Sequence, residues 1–366
     1  MRTFVVVEQG VKVAKRNGEL MVKKAGEAIH KTRLEGLGSL QLFGGVELTS
    51  GAIRACLNQG TDISFFTITG RYRGRITGPA SKNGTRRLEQ YRRVSDPAFR
   101  LQAAKALITG KITNQRNLLM RGQRRAKIPE NAPALGQMRR SLQRVPDATS
   151  HDELMGIEGY AASLYFVCLG RLIKNSDFTF TKRTRRPPRD PINAALSFGY
   201  TVLTSNVDGI VQAQGLDPML GFLHGIDYGR PSLALDLIEE MRPVIVDALV
   251  LAMVNRLQLS AFDFEAMRSD LRADQEAQEA QPGSPDTEHQ PATGAAVPQP
   301  KPAGILLNDR GRRVFLAAFA KRLNEKIYYP PLEGAYTIGD ILRKQVEHLI
   351  RVIDGRDERY VPFVPR

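Results

Sequence analysis

The chain has 366 residues, 42% of them hydrophobic, which is enough for two modest domains. The formal net charge of +15 is unevenly distributed, because residues 1–150 carry 28 Lys and Arg against 10 Asp and Glu, whereas residues 151–366 carry 25 against 28. Such a basic first part favours a polyanionic partner, nucleic acid ahead of an anionic membrane, although a merely soluble basic protein would show the same surplus.

Several classes of protein are excluded at this stage. The two cysteines, Cys56 and Cys168, are too far apart for a CxxC zinc motif and fit a reducing cytoplasm. The first residues show no signal peptide, and no run of 18 apolar residues predicts a membrane span. We therefore expect a cytoplasmic protein that has no membrane partner.

The chain begins with short β-rich segments. TFVVVEQ, VKVAK, ELMVKK, DISFFTI and RYRGRIT are separated by turns such as Asn17-Gly18 and Thr69-Gly70, and Thr49 caps one short helix. This pattern predicts a β-rich N-terminal domain over residues 1–78, followed by an exposed basic linker over 79–94.

From Ser95 the apolar period changes from two residues to about 3.6. Ser95-Asp96-Pro97 is a good helix start, and the helical pattern then continues to the C-terminus. Residues 270–303 are rich in Gln, Glu, Pro, Ala and Gly and predict a disordered insertion. The predicted fold is therefore α+β, a small β-rich N-terminal domain followed by a larger all-α domain over 95–366.

Three residues are candidates for a metal site. Glu158 follows Leu154 by four residues, so it lies at the edge of the apolar face of its helix, which Ser150 and Glu153 are expected to cap. His224 lies in a loop before an acidic helix, and Glu239 lies in that helix.

Each of the three also has an ordinary structural interpretation. Glu158 could pair with a core cation, His224 could be a satisfied structural histidine, and the acidic turn could simply be solvated. Pro243 lies inside the helix that carries Glu239 and predicts a kink there, and Asp236 on the same face is the alternative acid.

Two carboxylates and one imidazole suit Mg²⁺ or Mn²⁺. Such an ion activates water or a DNA 3′-hydroxyl and offsets charge on a phosphodiester. No GxxxxGK[ST], HExxH or GxSxG motif supports a nucleotide hydrolase, a zincin or a serine hydrolase.

Basic segments supply candidate DNA contacts. RYRGR, RRLEQYRR, GKITNQR and RGQRRAK hold Arg and Lys at many spacings, although a solvated charged surface would look similar. The predicted contacts are Arg75, Arg92, Lys111, Asn114, Arg116, Arg230 and Arg242.

Taken together, these motifs resemble the CRISPR adaptation integrase, the first-numbered CRISPR-associated protein family. The segment that carries the family's glutamate is similar to MGIEGYAASLYF, where the glutamate is Glu158. The segment that carries its histidine is similar to PINAALSFGYTVLTSNVDGIVQAQGLDPMLGFLH, where the histidine is His224. GRPSLALDLIEEMRPVIVD resembles the segment of the acidic ligand, which falls on Glu239 ahead of Asp236. GKITNQR and LNDRGRRVFLAAFAKRL extend the resemblance over nearly the whole chain, while the insertion at 270–303 departs from it.

The resemblance implies a divalent-metal-dependent DNA endonuclease and integrase. It implies a homodimer formed through the N-terminal domains, and assembly with the small second-numbered CRISPR-associated protein. The reaction implied is attack by a DNA 3′-hydroxyl on a phosphodiester, which inserts a short foreign fragment as a new spacer in the repeat array. The alternatives are a metal-dependent nuclease for branched DNA in repair, a transposon-type integrase, and a DNA-binding scaffold without activity.

Overall fold

The computed structural model describes residues 2–67, 72–78, 84–126, 128–185, 187–267 and 304–365. The predicted insertion at about 270–303 and the predicted turn at Thr69-Gly70 lie outside these ranges.

The N-terminal part consists of two four-stranded sheets and one helix. The strands are β1 (Arg2–Val6), β2 (Val11–Arg16), β3 (Glu19–Lys24), β4 (Glu27–Arg33), β5 (Leu37–Phe43), β6 (Val46–Leu48), β7 (Asp62–Phe66) and β8 (Tyr72–Ile76). One sheet has the order β1-β5-β7-β8, with the first two pairings parallel and the last antiparallel. The other has the order β4-β3-β2-β6, an antiparallel meander to which β6 adds in parallel.

The local structure in this part agrees with two predictions from the sequence. Asn17 and Gly18, at φ 47° and 76°, form the tight turn between β2 and β3, where both residues must adopt positive φ. Helix α1 (Ser50–Asn58) begins after Thr49, whose hydroxyl accepts a hydrogen bond from the amide of Ala52 at 3.2 Å.

The rest of the chain is mainly helical. Its helices are α2 (Gly84–Ser95), α3 (Pro97–Ala126), α4 (Ala132–Arg144), α5 (His151–Arg171), α6 (Pro191–Ala213), α7 (Ser232–Glu239), α8 (Ala248–Asn255), α9 (Asp309–Asn324) and α10 (Ile338–Ile353). Short 3₁₀ turns lie at Pro129–Asn131, Ala261–Asp263 and Pro330–Leu332, and a π-helical turn at Pro243–Asp247. The predicted fold class is thereby confirmed.

The prediction of an all-α second part was wrong in one respect. Two antiparallel pairs of strands interrupt the helices, β9 (Phe264–Ala266) with β10 (Ile305–Leu307), and β11 (Lys326–Tyr329) with β12 (Gly334–Thr337). Strands of three or four residues are too short for an alternating pattern to stand out from the helical periodicity around them.

The predicted exposed linker over residues 79–94 is helical from residue 84 onward. Residues 84–95 form α2, whose buried residues are Gln90 and Val94. Two of its arginines also pack inward, since Arg86 donates to the carbonyl oxygen of Gln214 at 2.6 Å and Arg93 to that of Ile353 at 3.2 Å. The Gln90 amide donates to the carbonyl oxygens of Asp217 and Leu220, at 2.8 and 3.1 Å. Helix α2 is therefore tied to the loop that leads to His224.

Helices α3 to α10 all contribute buried side chains to the main hydrophobic core. Phe43 and Phe66 of the N-terminal part join it, with their rings stacked at a centroid distance of 4.4 Å. A second, smaller core lies between the two N-terminal sheets and α1. Among the described helices, none combines the length and apolar character needed to cross a bilayer.

Candidate metal centre

Glu158 lies on α5 at the edge of the buried stripe that includes Leu154, as its spacing predicted. Ser150 caps the helix by accepting a hydrogen bond from the amide of Glu153 at 3.2 Å. The Glu153 carboxylate accepts from the amide of Thr149 rather than that of Ser150, so only half of the predicted capping box forms. The Glu158 side chain is 13% exposed, which leaves its carboxylate accessible from one side.

The space beside Glu158 is open. Gly156 and Gly159 flank it on α5, and a Cβ at either position would meet no atom within 4 Å. Glycine costs about 1 kcal/mol relative to alanine inside a helix, so two of them here weaken α5 without any packing gain that the fold itself requires. Because neither glycine has a side chain, the helix surface on both sides of the carboxylate stays open.

His224 is held by the neighbouring helix. Its Nδ1 lies 2.6 Å from Oδ1 of Asp236, a fully buried residue of α7. Because an ionised carboxylate can only accept, Nδ1 is the donor in this contact, and Nε2 is the ring nitrogen left for a metal ion. That nitrogen lies 3.9 Å from Oε1 of Glu239. Asp236 therefore orients the imidazole, and Glu239 is the acid that stands beside it.

Glu239 is the last residue of α7 and is 2% exposed. The helix is broken after it, and a π-helical turn begins at Pro243, where the proline predicted a kink. Burial alone would raise the pKa of Glu239. The charges of Arg242, Lys111 and His224 outweigh burial and lower the pKa to about 2.

A lysine lies between the two carboxylates. The Nζ of Lys111, on α3, is 2.5 Å from Oε1 of Glu158 and 2.6 Å from Oε2 of Glu239. Both contacts are ion pairs. Burial lowers the pKa of Lys111, but the two carboxylates overcome this effect and raise it. Lys111 therefore stays charged and joins α3, α5 and α7 at one point.

Behind Glu239 lies a buried polar network that the sequence did not predict. Arg242 forms an ion pair with Oε1 of Glu239 at 2.6 Å, and its guanidinium lies over the Tyr200 ring, 4.9 Å from the centroid. The hydroxyls of Tyr200 and Tyr165 each donate to the Asp247 carboxylate at 2.6 Å. Burial raises the pKa of Asp247 to about 6, against the effect of these two hydroxyls.

The donor set of this site fits a divalent ion. Two carboxylate oxygens, one each from Glu158 and Glu239, converge on a single atom, and the oriented imidazole of His224 stands next to them. Across the described ranges, no three His, Cys, Asp or Glu side chains are near enough to hold an ion as they stand. The central atom is the ammonium of Lys111, so a metal requires that this side chain move.

The predicted DNA contacts occupy different environments. Lys111 and Arg242 belong to the centre itself, and Arg230 follows His224 in the same loop, paired with Asp227 at 3.1 Å. Asn114 is fully buried and donates to the carbonyl oxygens of Glu240 and Phe363, both at 2.8 Å, so its amide is structural.

The other predicted contacts lie apart from the centre. Arg92 is exposed, with an ion pair to Glu89 at 3.4 Å. Arg75 and Arg116 are partly buried and donate to the carbonyl oxygens of Asp208 and Leu135, both at 3.4 Å.

The chain combines a β-rich part with a helical part, and two carboxylates and an imidazole bound by an aspartate lie close together in the helical part. This combination makes the protein a candidate metal-dependent enzyme. The model of the family described as CRISPR associated protein Cas1 matches residues 4–280. The chain belongs to this family.

Relatives match along almost the whole chain. A CRISPR-associated endonuclease Cas1 of Rhodospirillum rubrum is 35% identical and covers 99% of this chain and 98% of its own length. A second, of Moorella thermoacetica, is 33% identical and covers 94% and 93%. Such coverage means that both parts of the chain, and not the helical part alone, are shared with these relatives.

Solved structures agree on the fold. A Cas1 protein from Thermotoga maritima superimposes with a TM-score of 0.74 at 22% identity, over 100% of both chains. A casposase bound to integration product gives 0.77 at 21% identity, over 99% of this chain and 93% of that one.

Proposed function

We propose that this chain is a divalent-metal-dependent DNA endonuclease and integrase that inserts short foreign DNA fragments as new spacers into a CRISPR array. Glu158, His224 and Glu239 hold the ion, Mg²⁺ or Mn²⁺. The observation that carries the proposal is the convergence of the two carboxylates on one point beside an imidazole whose Nδ1 is bound by Asp236.

The bound ion supplies Lewis-acid stabilisation of charge on the phosphodiester. In the reaction, a fragment's 3′-hydroxyl oxygen bonds to the target phosphorus, and the bond from phosphorus to the target's own 3′-oxygen breaks. That oxygen leaves as a 3′-hydroxyl, so one phosphodiester replaces another and no external energy source is needed. Cleavage is the same exchange with water as the attacking group.

The chain's own residues prepare this chemistry. Asp236 fixes the tautomer of His224, and Arg242 fixes one oxygen of Glu239. The pKa of about 2 keeps Glu239 ionised throughout the neutral range, so that it remains a ligand without competition from protons.

DNA, a second copy of this chain and the small Cas2 protein are the proposed partners. The surplus of 18 positive charges over residues 1–150 supports DNA binding. A solved Cas6-RT-Cas1–Cas2 complex shares this fold at 24% identity, with a TM-score of 0.74, and covers 100% of this chain and 36% of that one. It makes Cas2 the partner to supply in the assay.

The test is integration in vitro with purified Cas2, a short DNA fragment, a supercoiled plasmid carrying the array, and Mn²⁺ or Mg²⁺. Glu158→Ala and His224→Ala are expected to abolish strand transfer while DNA binding persists. Intact transfer in either variant would remove its residue from the proposed site. A plasmid without the array is the control, because equal insertion there would indicate a transposon-type integrase or a repair nuclease instead.

A further inference from the structure

Lys111 occupies the position at which the two proposed carboxylate ligands meet. It is 8% exposed, and its Nζ touches Glu158 and Glu239 at 2.5 and 2.6 Å. Mg²⁺ binds oxygen ligands at about 2.0–2.1 Å, so an ion between these oxygens and an ammonium between them exclude each other. Building on the proposed function, we propose that Lys111 is a resident counterion that competes with the divalent metal for Glu158 and Glu239.

The need for a counterion follows from burial. Glu158 and Glu239 are 13% and 2% exposed, and they share one point between three helices. Two ionised carboxylates at such a position repel each other and lose their hydration, which is costly unless a cation lies between them. Lys111 supplies that charge in the metal-free enzyme and keeps the two carboxylates together.

Lys111 rather than Arg242 is the cation that the metal ion displaces. Arg242 contacts Glu239 from the other side and is fixed against the Tyr200 ring. A lysine side chain has a compact charge on a flexible stem, so it can leave the carboxylates by rotation alone. The ammonium of Lys111 also lies between both carboxylates, where the ion must enter, whereas Arg242 pairs with one of them.

The backbone beneath Lys111 is fixed, so that only the side chain moves. A Cβ on the preceding residue, Gly110, would lie 2.4 Å from Cβ of Pro362 and 3.1 Å from Cβ of Glu240. Helix α3 is therefore in close contact with α7 and with the C-terminal segment at this point. Displacement of Lys111 does not require a shift of the helix.

The first test measures Mn²⁺ affinity without DNA, by calorimetry or electron paramagnetic resonance, on the full chain. Lys111→Met is expected to bind Mn²⁺ more tightly than the unmodified protein, by at least about tenfold, or about 1.4 kcal/mol. Its Tm in EDTA is expected to fall, and added Mn²⁺ to raise that Tm by more than in the unmodified protein. Lys105→Met is the matched control on α3, because Lys105 donates to the carbonyl oxygen of Pro146 instead.

Glu158→Gln separates this inference from the proposed function. If the unmodified protein binds no Mn²⁺, or if Glu158→Gln binds it equally well, the proposed metal site fails and the inference with it. If binding depends on Glu158 but Lys111→Met binds no more tightly than Lys105→Met, the metal site stands and the competition is refuted.

A second measurement needs no variant at Lys111 and so does not depend on how that variant folds. The unmodified protein is treated with a small acylating reagent with and without Mn²⁺, and modification of Lys111 is compared with that of Lys105 by mass spectrometry. Displacement predicts a rise in modification of Lys111 when Mn²⁺ is present, and no rise in Glu158→Gln. Constant or reduced modification of Lys111 would overturn the proposal.

Discussion

The carboxylate of Asp236 holds His224 by both its ring and its backbone. Oδ1 lies 2.6 Å from Nδ1 of the imidazole and accepts the backbone amide of the same residue at 2.9 Å. Oδ2 accepts the amides of Phe222 and Leu223, at 2.5 and 2.9 Å. One buried side chain of α7 thus fixes both the loop and the direction of the ring.

Asp236→Asn is therefore expected to weaken both the fold and metal binding. An amide NH₂ cannot accept hydrogen bonds, so at least one buried backbone amide loses its partner, at a cost of about 1–3 kcal/mol. Loss of the residue that orients a metal-binding histidine reduces affinity by about 10–100-fold. Urea unfolding and Mn²⁺ calorimetry measure the two effects.

The matched control for this prediction is Asp227→Asn. Asp227 lies in the same loop but pairs with Arg230 near the surface. Its replacement should leave Mn²⁺ affinity within about twofold of the unmodified protein, because its partner is Arg230 and not His224. Unchanged affinity in Asp236→Asn would show that Nδ1 of His224 needs no carboxylate.

Tyr200 is expected to position Arg242 through its ring and to stabilise Asp247 through its hydroxyl. Tyr200→Phe keeps the ring and removes one of the two hydroxyls that bind Asp247, so stability should fall by about 1–3 kcal/mol with cleavage largely retained. Tyr200→Leu also removes the surface under Arg242 and should reduce the rate of DNA cleavage further. Equal rates in the two variants, measured under conditions where both are folded, would contradict a role for the ring.

Much of the fold was accessible from the sequence because its signals are local. The cap at Thr49, the turn at Asn17-Gly18 and the break before Pro243 each depend on a few adjacent residues. The sequence predicts an exposed linker over α2 because the segment is rich in arginine, but Gln90, Arg86 and Arg93 all donate to carbonyl oxygens far away in the chain. Contacts to residues 127 or more positions away leave no local pattern.

The candidate site could be predicted only in part, because the contacts that build it also join residues far apart in the chain. Glu158, His224 and Glu239, which the sequence groups as candidate ligands, lie close together, but nothing in the sequence places Lys111 between the two carboxylates. Asp236, the alternative acid, instead binds Nδ1 of His224. One signal for Lys111 was present, because it lies three residues after Ile108 and therefore on the buried side of α3. A lysine in that position needs an acidic partner, but the sequence does not say which one.

Gly110 is expected to tolerate no side chain. In Gly110→Ala the new Cβ would lie 2.4 Å from Cβ of Pro362, and overpacking of this kind costs about 1–3 kcal/mol. Gly136→Ala on α4 is the control, because a Cβ there meets no atom within 4 Å and alanine favours a helix by up to about 1 kcal/mol. Thermal unfolding should show a lower Tm for the first variant and an equal or higher Tm for the second. A neutral Gly110→Ala would mean that the C-terminal segment is not packed against α3 in solution.

Glu240 is expected to make the protein less stable as pH rises towards neutrality. Burial raises the pKa of this group from 4.5 to about 7, although Gln345, Tyr360 and the amide of Phe363 donate hydrogen bonds to it. Below pH 4.5 the carboxyl is protonated in both folded and unfolded chains. Between 4.5 and 7 the unfolded chain releases a proton that the folded chain retains, so the free energy of unfolding falls, by about 3 kcal/mol at about 1.36 kcal/mol per pKa unit.

Glu240→Gln is uncharged at every pH and should lose this dependence. Urea unfolding in EDTA at pH 5 and pH 7.5 measures it as the change in free energy between the two pH values, compared between the variant and the unmodified protein. Asp247 shifts in the same direction but is present in both proteins, so its contribution cancels in the comparison. Equal pH dependence in the two proteins would mean that the Glu240 carboxyl is ionised in the folded state, stabilised by its three donors in spite of its burial.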